Sequence, residues 1–243
     1  MRLILLLMVL LVASTGANGQ QSEPQEEPKL WSGTVDFGYT NLTGNTEEST
    51  MAGRVAVSRE NKPWKWDITG ESLFSENGNT RTAEKYAALS RLAYNFTEKN
   101  YVFGRATYET DKFSGFDYQA TAIAGFGWNL YDEETFQWDI ELGAGYRKSK
   151  VDDPLTGDDQ NEPIVTASTL IDYQFSQTTT FHQYLSLEKG SDTDIVYSRS
   201  ELRVQAIENL AFKFSYNIKH TSDVPVGSEN TDTETIVSLS YAF

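Results

Sequence analysis

Acids and bases recur on alternate residues of this chain. Asp139 and Glu141 flank Ile140, and Arg199, Glu201 and Arg203 are separated by single residues. In an extended strand every second side chain points to the same face, so each such group shares one surface. The chemistry open to that surface is electrostatic. Walls or rings of fixed charge select ions in pores, and a low-dielectric surround focuses their field. Covalent and metal chemistry have less to draw on. The chain has no Cys and two His. His220 has Ser222 nearby, and a His-Ser pair at a lipid boundary could hydrolyse a phospholipid, given an orienting group and an oxyanion hole. There is no Gly-x-Ser-x-Gly, no His-Glu-x-x-His and no P-loop. The expectation is a protein with no catalytic residue, no metal and no cofactor.

Period-two alternation places these charges on strands. Twelve segments carry it: 31–41, 48–58, 64–74, 84–96, 101–110, 116–130, 135–149, 164–175, 180–189, 195–206, 211–220 and 233–243. In the sixth, Tyr118, Ala120, Ala122, Ala124, Phe126, Trp128 and Leu130 share one face with Phe116, against Asp117, Gln119, Thr121, Gly125, Gly127 and Asn129. Five connections are tight, such as Thr97–Asn100 and Ser176–Thr179, and they alternate with longer ones, such as Lys150–Pro163 and Thr221–Asp232. An even number of strands with short turns on one rim and longer loops on the other is the pattern of an outer-membrane barrel. All five Trp fall near the short-turn rim, joined by Tyr101, Phe136, Phe175, Phe181, Phe212, Tyr241 and Phe243, as an interfacial aromatic girdle requires. A soluble barrel would turn its apolar face inward. Twelve strands enclose more space than side chains or one small ligand can fill, so the apolar face is predicted to meet lipid.

The ends of the chain agree. Arg2, the apolar run Leu3–Val12 and Ala17-Asn18-Gly19 have the form of a secretory signal over residues 1–19. Residues 20–30 are rich in Gln, Glu and Pro and read as a flexible lead-in, leaving 31–243 as the barrel. The last strand closes on Val237, Leu239, Tyr241 and Phe243, a pattern resembling the signal read by barrel-assembly machinery. Formal charge is −15, and −16 without Arg2, which argues against nucleic acid as a partner. The expected setting is the outer membrane of a Gram-negative bacterium, both termini periplasmic, with membrane lipid and lipopolysaccharide as partners. Nothing in the sequence chooses an oligomeric state.

A longer motif adds to this. Tyr108-Glu109-Thr110-Asp111-Lys112-Phe113-Ser114-Gly115-Phe116-Asp117-Tyr118, followed by Gly125-Phe126-Gly127-Trp128, resembles the signature of the YdiY-type salt-induced outer-membrane protein family (domain of unknown function 481). The likeness runs more loosely from Trp31 to Phe243. It implies an outer-membrane barrel and a link to salt or envelope stress, and it supplies no substrate. Physically, Asp111–Gly115 is a tight hairpin with Gly115 free to take a positive φ. Glu109 and Asp117 are predicted to face the lumen, and Tyr108, Phe116 and Tyr118 to form an outer aromatic cluster.

The polar faces carry eleven acids (Asp36, Asp67, Glu71, Glu109, Asp117, Asp139, Glu141, Asp172, Glu188, Glu201, Glu234) and ten bases (Arg54, Lys65, Lys85, Arg91, Arg105, Arg147, Arg199, Arg203, Lys213, Lys219). The acidic pore wall is expected at Asp117, Asp139, Glu141, Asp172 and Glu188. The basic wall is expected at Arg91, Arg105, Arg147, Arg199, Arg203 and Lys213. Two outcomes stay open: opposed walls framing a wet, narrow channel for small ions and polar solutes, or charges paired across the strands in a closed structural barrel. Asp152, Asp153, Asp158, Asp159 and Glu162 crowd one loop, and Asp223, Glu229 and Asp232 another. Both are expected to be solvated loops that attract cations or contact envelope components.

Overall fold

Alternating apolar and polar residues make a sheet with two unlike faces, and here that sheet closes on itself. The computed structural model describes residues 30–42, 48–78, 80–151, 159–225 and 228–243. The signal and lead-in residues 1–29 lie outside them, as do Asp152, Asp153 and Asp158. Twelve strands follow: β1 (Trp31–Leu42), β2 (Glu48–Asn61), β3 (Trp64–Asn77), β4 (Thr80–Asn95), β5 (Asn100–Asp111), β6 (Phe116–Glu133), β7 (Phe136–Val151), β8 (Asp159–Ser176), β9 (Thr179–Gly190), β10 (Asp194–Ile207), β11 (Leu210–Thr221) and β12 (Thr231–Ala242). Each pairs antiparallel with its sequence neighbours, and β12 pairs with β1 to close the barrel. The rim where β1 begins and β12 ends, called lower here, has turns of two to four residues. The upper rim mixes connections of two to four residues (β3–β4, β5–β6, β9–β10) with longer ones of five to nine, and the strands β3 and β4 run on to Asn77 and back from Thr80.

The apolar face points outward. Val35, Phe37, Val55, Leu142, Val165, Leu187, Phe214, Val237 and Leu239 are all exposed on the exterior. A soluble protein does not show such a continuous apolar band, whereas a barrel spanning lipid requires one. Four of the five Trp are exposed near the lower rim, at 31, 64, 66 and 128. Two indoles there have their N–H satisfied: Trp66 Nε1 donates to Ser90 Oγ at 3.0 Å and Trp138 Nε1 to Thr169 Oγ1 at 2.8 Å. Rings stack along the girdle, as between Tyr131 and Trp138 with centroids 5.9 Å apart.

Tyr101 does not belong to that girdle. It is buried inside the barrel, where Tyr101 registers against Gly127 and Phe103 against Gly125. A Cβ at Gly127 would lie 2.0 Å from the Tyr101 ring, and one at Gly125 would lie 2.9 Å from Phe103. These glycines flatten the wall so that the two rings lie on it. With Ala93, Ile123 and Ile164 they make a small apolar core on one side of the lumen.

Two other expectations are corrected. A register shift between Phe116 and Tyr118 breaks the alternation of β6. Tyr108 and Tyr118 do stack on the exterior, 5.8 Å apart, but Phe116 is buried on the other side of the bulge. The same shift turns Asp117 out of the lumen, and it pairs with Lys150 at 2.6 Å. The strand predicted at 164–175 begins at Asp159 instead, so Glu162 is not a solvated loop acid. Pro163 normally ends a central strand. It is tolerated because β8 pairs with β9 only from Ile164 onward, leaving the missing N–H on an edge. The motif hairpin itself forms as predicted: Gly115 has φ 80°, and the Phe113 amide donates to Asp111 Oδ1 at 2.9 Å.

Replacing Gly127 with Ala should cost about 1–3 kcal/mol, because the buried Tyr101 ring must leave its rotamer. Gly104→Ala, where a Cβ meets nothing within 4 Å, should be neutral or gain up to about 1 kcal/mol. Urea unfolding of the lipid-reconstituted barrel compares the two, and equal midpoints would show that the ring-on-glycine contact carries no weight.

Candidate functional site

Long charged side chains on the inner face of each strand meet across the lumen. Lys219 on β11 reaches Glu109 on β5 at 2.6 Å, and these strands are six places apart in a ring of twelve. Arg199 on β10 makes a two-pronged contact with Glu71 on β3, at 2.6 and 2.7 Å. Lys85 on β4 meets Glu234 on β12 at 3.0 Å, and Arg54 on β2 meets Glu201 on β10 at 2.8 Å. Twelve strands about 4.8 Å apart and tilted about 40° would enclose a circle roughly 24 Å across. A lysine bonded to a glutamate spans at most about 14 Å between Cα atoms. The barrel is therefore flattened, with its short axis near β5 and β11.

These bridges form a septum along the short axis. On one side, behind the β1–β12 seam, lies a cavity of about 50 Å³ lined by Asp36, Arg54, Glu71, Lys213, Glu234 and Ser238 among others. On the other lies a cavity of about 1250 Å³. Its lining runs from Lys62, Glu98 and Asp132 at the lower rim, past Asp139 and Asp172, up to Glu109, Arg147, Glu188 and Lys219. Charged and polar side chains line the larger lobe over most of its height, with Ala87, Ala88, Leu89 and Ala93 among them.

Two knots of charge brace that lobe. Near its middle, Arg91 contacts Glu141 at 2.5 Å and Asp67 at 3.3 Å. It also lies over the rings of Tyr101 and Phe103, at 5.3 and 5.5 Å. Tyr101 Oη donates to the same Glu141 at 3.1 Å. At the upper end, Arg147 is 1% exposed and holds Glu162 at 2.7 Å and Glu188 at 3.5 Å. It also donates to the Thr193 carbonyl, and Glu162 accepts the amides of Asp192 and Thr193 at 2.8 and 3.2 Å. This second knot ties the β9–β10 connection to the β7–β8 hairpin. Gly190 is needed there, since a Cβ would meet Glu162 Oε2 at 2.1 Å.

The residues singled out from sequence divide as follows. Asp139, Glu141, Asp172, Glu188, Arg91, Arg105, Arg147 and Arg199 line the larger lobe, and Lys213 the smaller. Arg105 donates to Tyr184 Oη at 2.6 Å and lies 3.7 Å from Glu188. Lys213 bonds Asp36 and lies 3.4 Å from Glu201. Asp172 is joined to His182 at 2.7 Å. Arg203 registers beside Lys213, and its Nε has no partner among the described residues. Asp117 is on the rim, outside the lumen. His220 does not meet Ser222; its Nδ1 lies 2.8 Å from Thr231 Oγ1. Sequence reasoning missed Glu162, Thr193 and Tyr101. The parity of Glu162 with Ile164, Thr166 and Ser168 was available, but Pro163 masked it.

Opposed charge is thus spent mainly on pairing across the lumen. Glu141→Ala removes the closer of the two carboxylates that hold the mostly buried Arg91 guanidinium, leaving Asp67 at 3.3 Å, and should cost about 1.5–3 kcal/mol. The double variant Arg91→Met/Glu141→Met should recover most of that loss. Denaturant midpoints of the two check it, and a double variant as unstable as the single one would contradict the assignment.

Comparison with known proteins follows the same lines. Residues 35–243 match the family described as "Protein of unknown function, DUF481". A curated relative, the uncharacterized protein YdiY of Escherichia coli (strain K12), is 28% identical over 221 residues, covering 90% of this chain and 86% of that protein. Among solved structures, the NanC porin superposes with a TM-score of 0.55 at 13% identity, covering 86% of this chain and 98% of that one; at that identity the likeness speaks for the fold alone. With the family match spanning nearly the whole barrel, the chain belongs to the DUF481 family.

Proposed function

We propose that this protein is an outer-membrane channel of low conductance that passes water and small ions and excludes larger solutes. The observation that carries this is the polar lobe of about 1250 Å³ that runs up from the lower rim and is bounded by cross-lumen ion pairs. Lining charges without an ion-pair partner among the described residues, such as Asp139, hold water, because isolated buried charge is prohibitive. The bridges wall the lobe off from the rest of the lumen and so narrow the passage beside them. The exterior belt and the aromatic lower rim support a place in the outer membrane of a Gram-negative bacterium, with the short turns and both chain ends on the periplasmic side. Barrel geometry shared with a porin is in keeping with a passage. A part in salt or envelope stress belongs to the same proposal, as does a non-enzymatic role.

A closed structural barrel is the alternative, favoured by one feature. The Arg147–Glu162–Glu188 knot sits across the upper end of the large lobe with almost no exposure.

Single-channel current through the refolded barrel in a planar bilayer separates the two. The wild type should show small, steady conductance without permeation of sugars in a liposome-swelling assay. Glu109→Gln/Lys219→Gln removes the charged bridge along the short axis and should raise conductance at least twofold. A folded wild type that is silent, and stays silent when this bridge is removed, would leave the closed barrel.

Asp139 lines the lobe and has no ion-pair partner among the described residues. Asp139→Asn should therefore reduce cation preference, read as a shift of reversal potential toward zero in a salt gradient, with little change in stability. An unchanged reversal potential would remove Asp139 from the conducting path.

A further inference from the structure

The wall of this barrel is not equally closed all the way round. β1 pairs with β2 along all of Trp31–Leu42. Against β12 its registered pairing is confined to Thr34–Gly38, opposite Ser238–Ala242. Gly33 and Phe243 extend the lower end with two backbone hydrogen bonds at 3.0 and 3.1 Å. Above Gly38 the two strands part. The β1-facing edge of Thr231–Val237 and the β12-facing edge of Tyr39–Leu42 form no ladder with each other among the described residues, although β12 remains paired with β11 up to Thr231. Gly38 marks the last rung: a Cβ there would lie 2.8 Å from the Val237 carbonyl oxygen.

Open strand edges facing hydrocarbon are prohibitive. Two features make this one tolerable. The exterior of β12 changes from Val237 to Thr235 and Thr233 at this height, so the β12 lip is polar, and the β1 lip opposite starts with the amphipathic ring of Tyr39. Directly behind lies the cavity of about 50 Å³, lined by the buried Asp36 and Ser238, of which Asp36 Oδ1 and Ser238 Oγ have no hydrogen-bond partner among the described residues. A space of that size with two unpartnered oxygens on its lining residues suits water.

What holds the two sides together is on the lumen face. Four ion pairs run from β1–β4 to β10–β12, across the seam: Lys213 to Asp36, Arg54 to Glu201, Arg199 to Glu71 and Lys85 to Glu234. Elsewhere in the barrel neighbouring strands are joined by ladders of ten or more residue pairs, and the ion pairs are additional. Lys213 to Asp36 lies in the zipped half. The pairs of Arg54, Arg199 and Lys85 instead have Glu201, Arg199 and Glu234 as their ends on β10 and β12, level with residues 234–236 of β12, and there they stand in for the ladder. We propose that the upper half of the β1–β12 seam is a lateral gate, latched by these seam-spanning ion pairs in place of backbone hydrogen bonds. Its opening would join the small lobe to the outer leaflet.

The gate is independent of whether the lumen conducts, and amide hydrogen exchange of the barrel in lipid nanodiscs reads it without any flux. In the wild type, the β1-facing amides of Thr231–Val237 should exchange at least tenfold faster than those of Ser238–Ala242. They should also exchange faster than β11-facing amides of the same stretch, which controls for fraying of the rim. Arg54→Gln/Arg199→Gln should accelerate the seam amides at least tenfold more and leave the β5–β6 ladder unchanged. Lys85→Gln, which removes one latch only, gives the same reading should the double variant fail to fold. Because the chain has no cysteine, Thr40→Cys/Ile236→Cys introduces the sole disulfide. Oxidation should slow the seam amides to the rate of the zipped half. Wild-type exchange equal on the two halves of the seam would overturn the gate, and so would exchange indifferent to the loss of the latch.

Discussion

A charge taken out of water must find an opposite charge, and in this barrel the nearest one is on the facing wall. That constraint shapes what lies inside the sheet. Lys219 reaches Glu109 across a full half-ring of strands, and Arg199 reaches Glu71 across five. Neither contact fits a circular barrel of twelve strands, so the cross-section is drawn in along that axis and the lumen is split into unequal lobes. Elastic deformation of a hydrogen-bonded ladder is cheap beside an unpaired buried ion, and the sheet yields.

The glycines of β6 and β7 belong to the same account. Gly125 and Gly127 leave room for Phe103 and Tyr101 to lie flat on the wall. Those rings then form a floor beneath Arg91, whose guanidinium is held by Glu141 and Asp67 from other strands. A motif of spaced glycines thus acts at a distance from its own side chains, through the aromatic and the cation it permits. The tight hairpin at Asp111–Gly115, by contrast, acts locally: it sets the register of β5 against β6 and aims Glu109 inward.

Flattening also explains why the two ends of the chain meet as they do. Where walls are drawn together by side chains, the ladder at the seam is short on its upper half, and ion pairs do the closing. The lower half keeps backbone pairing and the ring of Phe243 laid over Gly33. Strength is distributed by height: hydrogen bonds near the terminal rim, electrostatics above it. The upper end of the large lobe is braced independently by Arg147, which binds two carboxylates and a loop carbonyl while almost wholly removed from solvent.

The sequence by itself determined the strands, their number, their two faces and the membrane belt, because each is set by local period-two alternation and turn chemistry. It also placed Asp139, Glu141, Glu188 and their basic counterparts on the inner face, since parity within one strand needs no knowledge of the others. It went astray where one residue breaks that parity: the bulge that turns Asp117 outward and buries Phe116, and Pro163, which concealed the start of β8 and the inward Glu162. What only the tertiary structure decided is which charge meets which. Arg91 with Glu141, Arg199 with Glu71 and Lys219 with Glu109 are separated by 50, 128 and 110 residues, and their meeting depends on strand tilt and on the flattened section. Those are properties of the closed ring, and no single strand carries them.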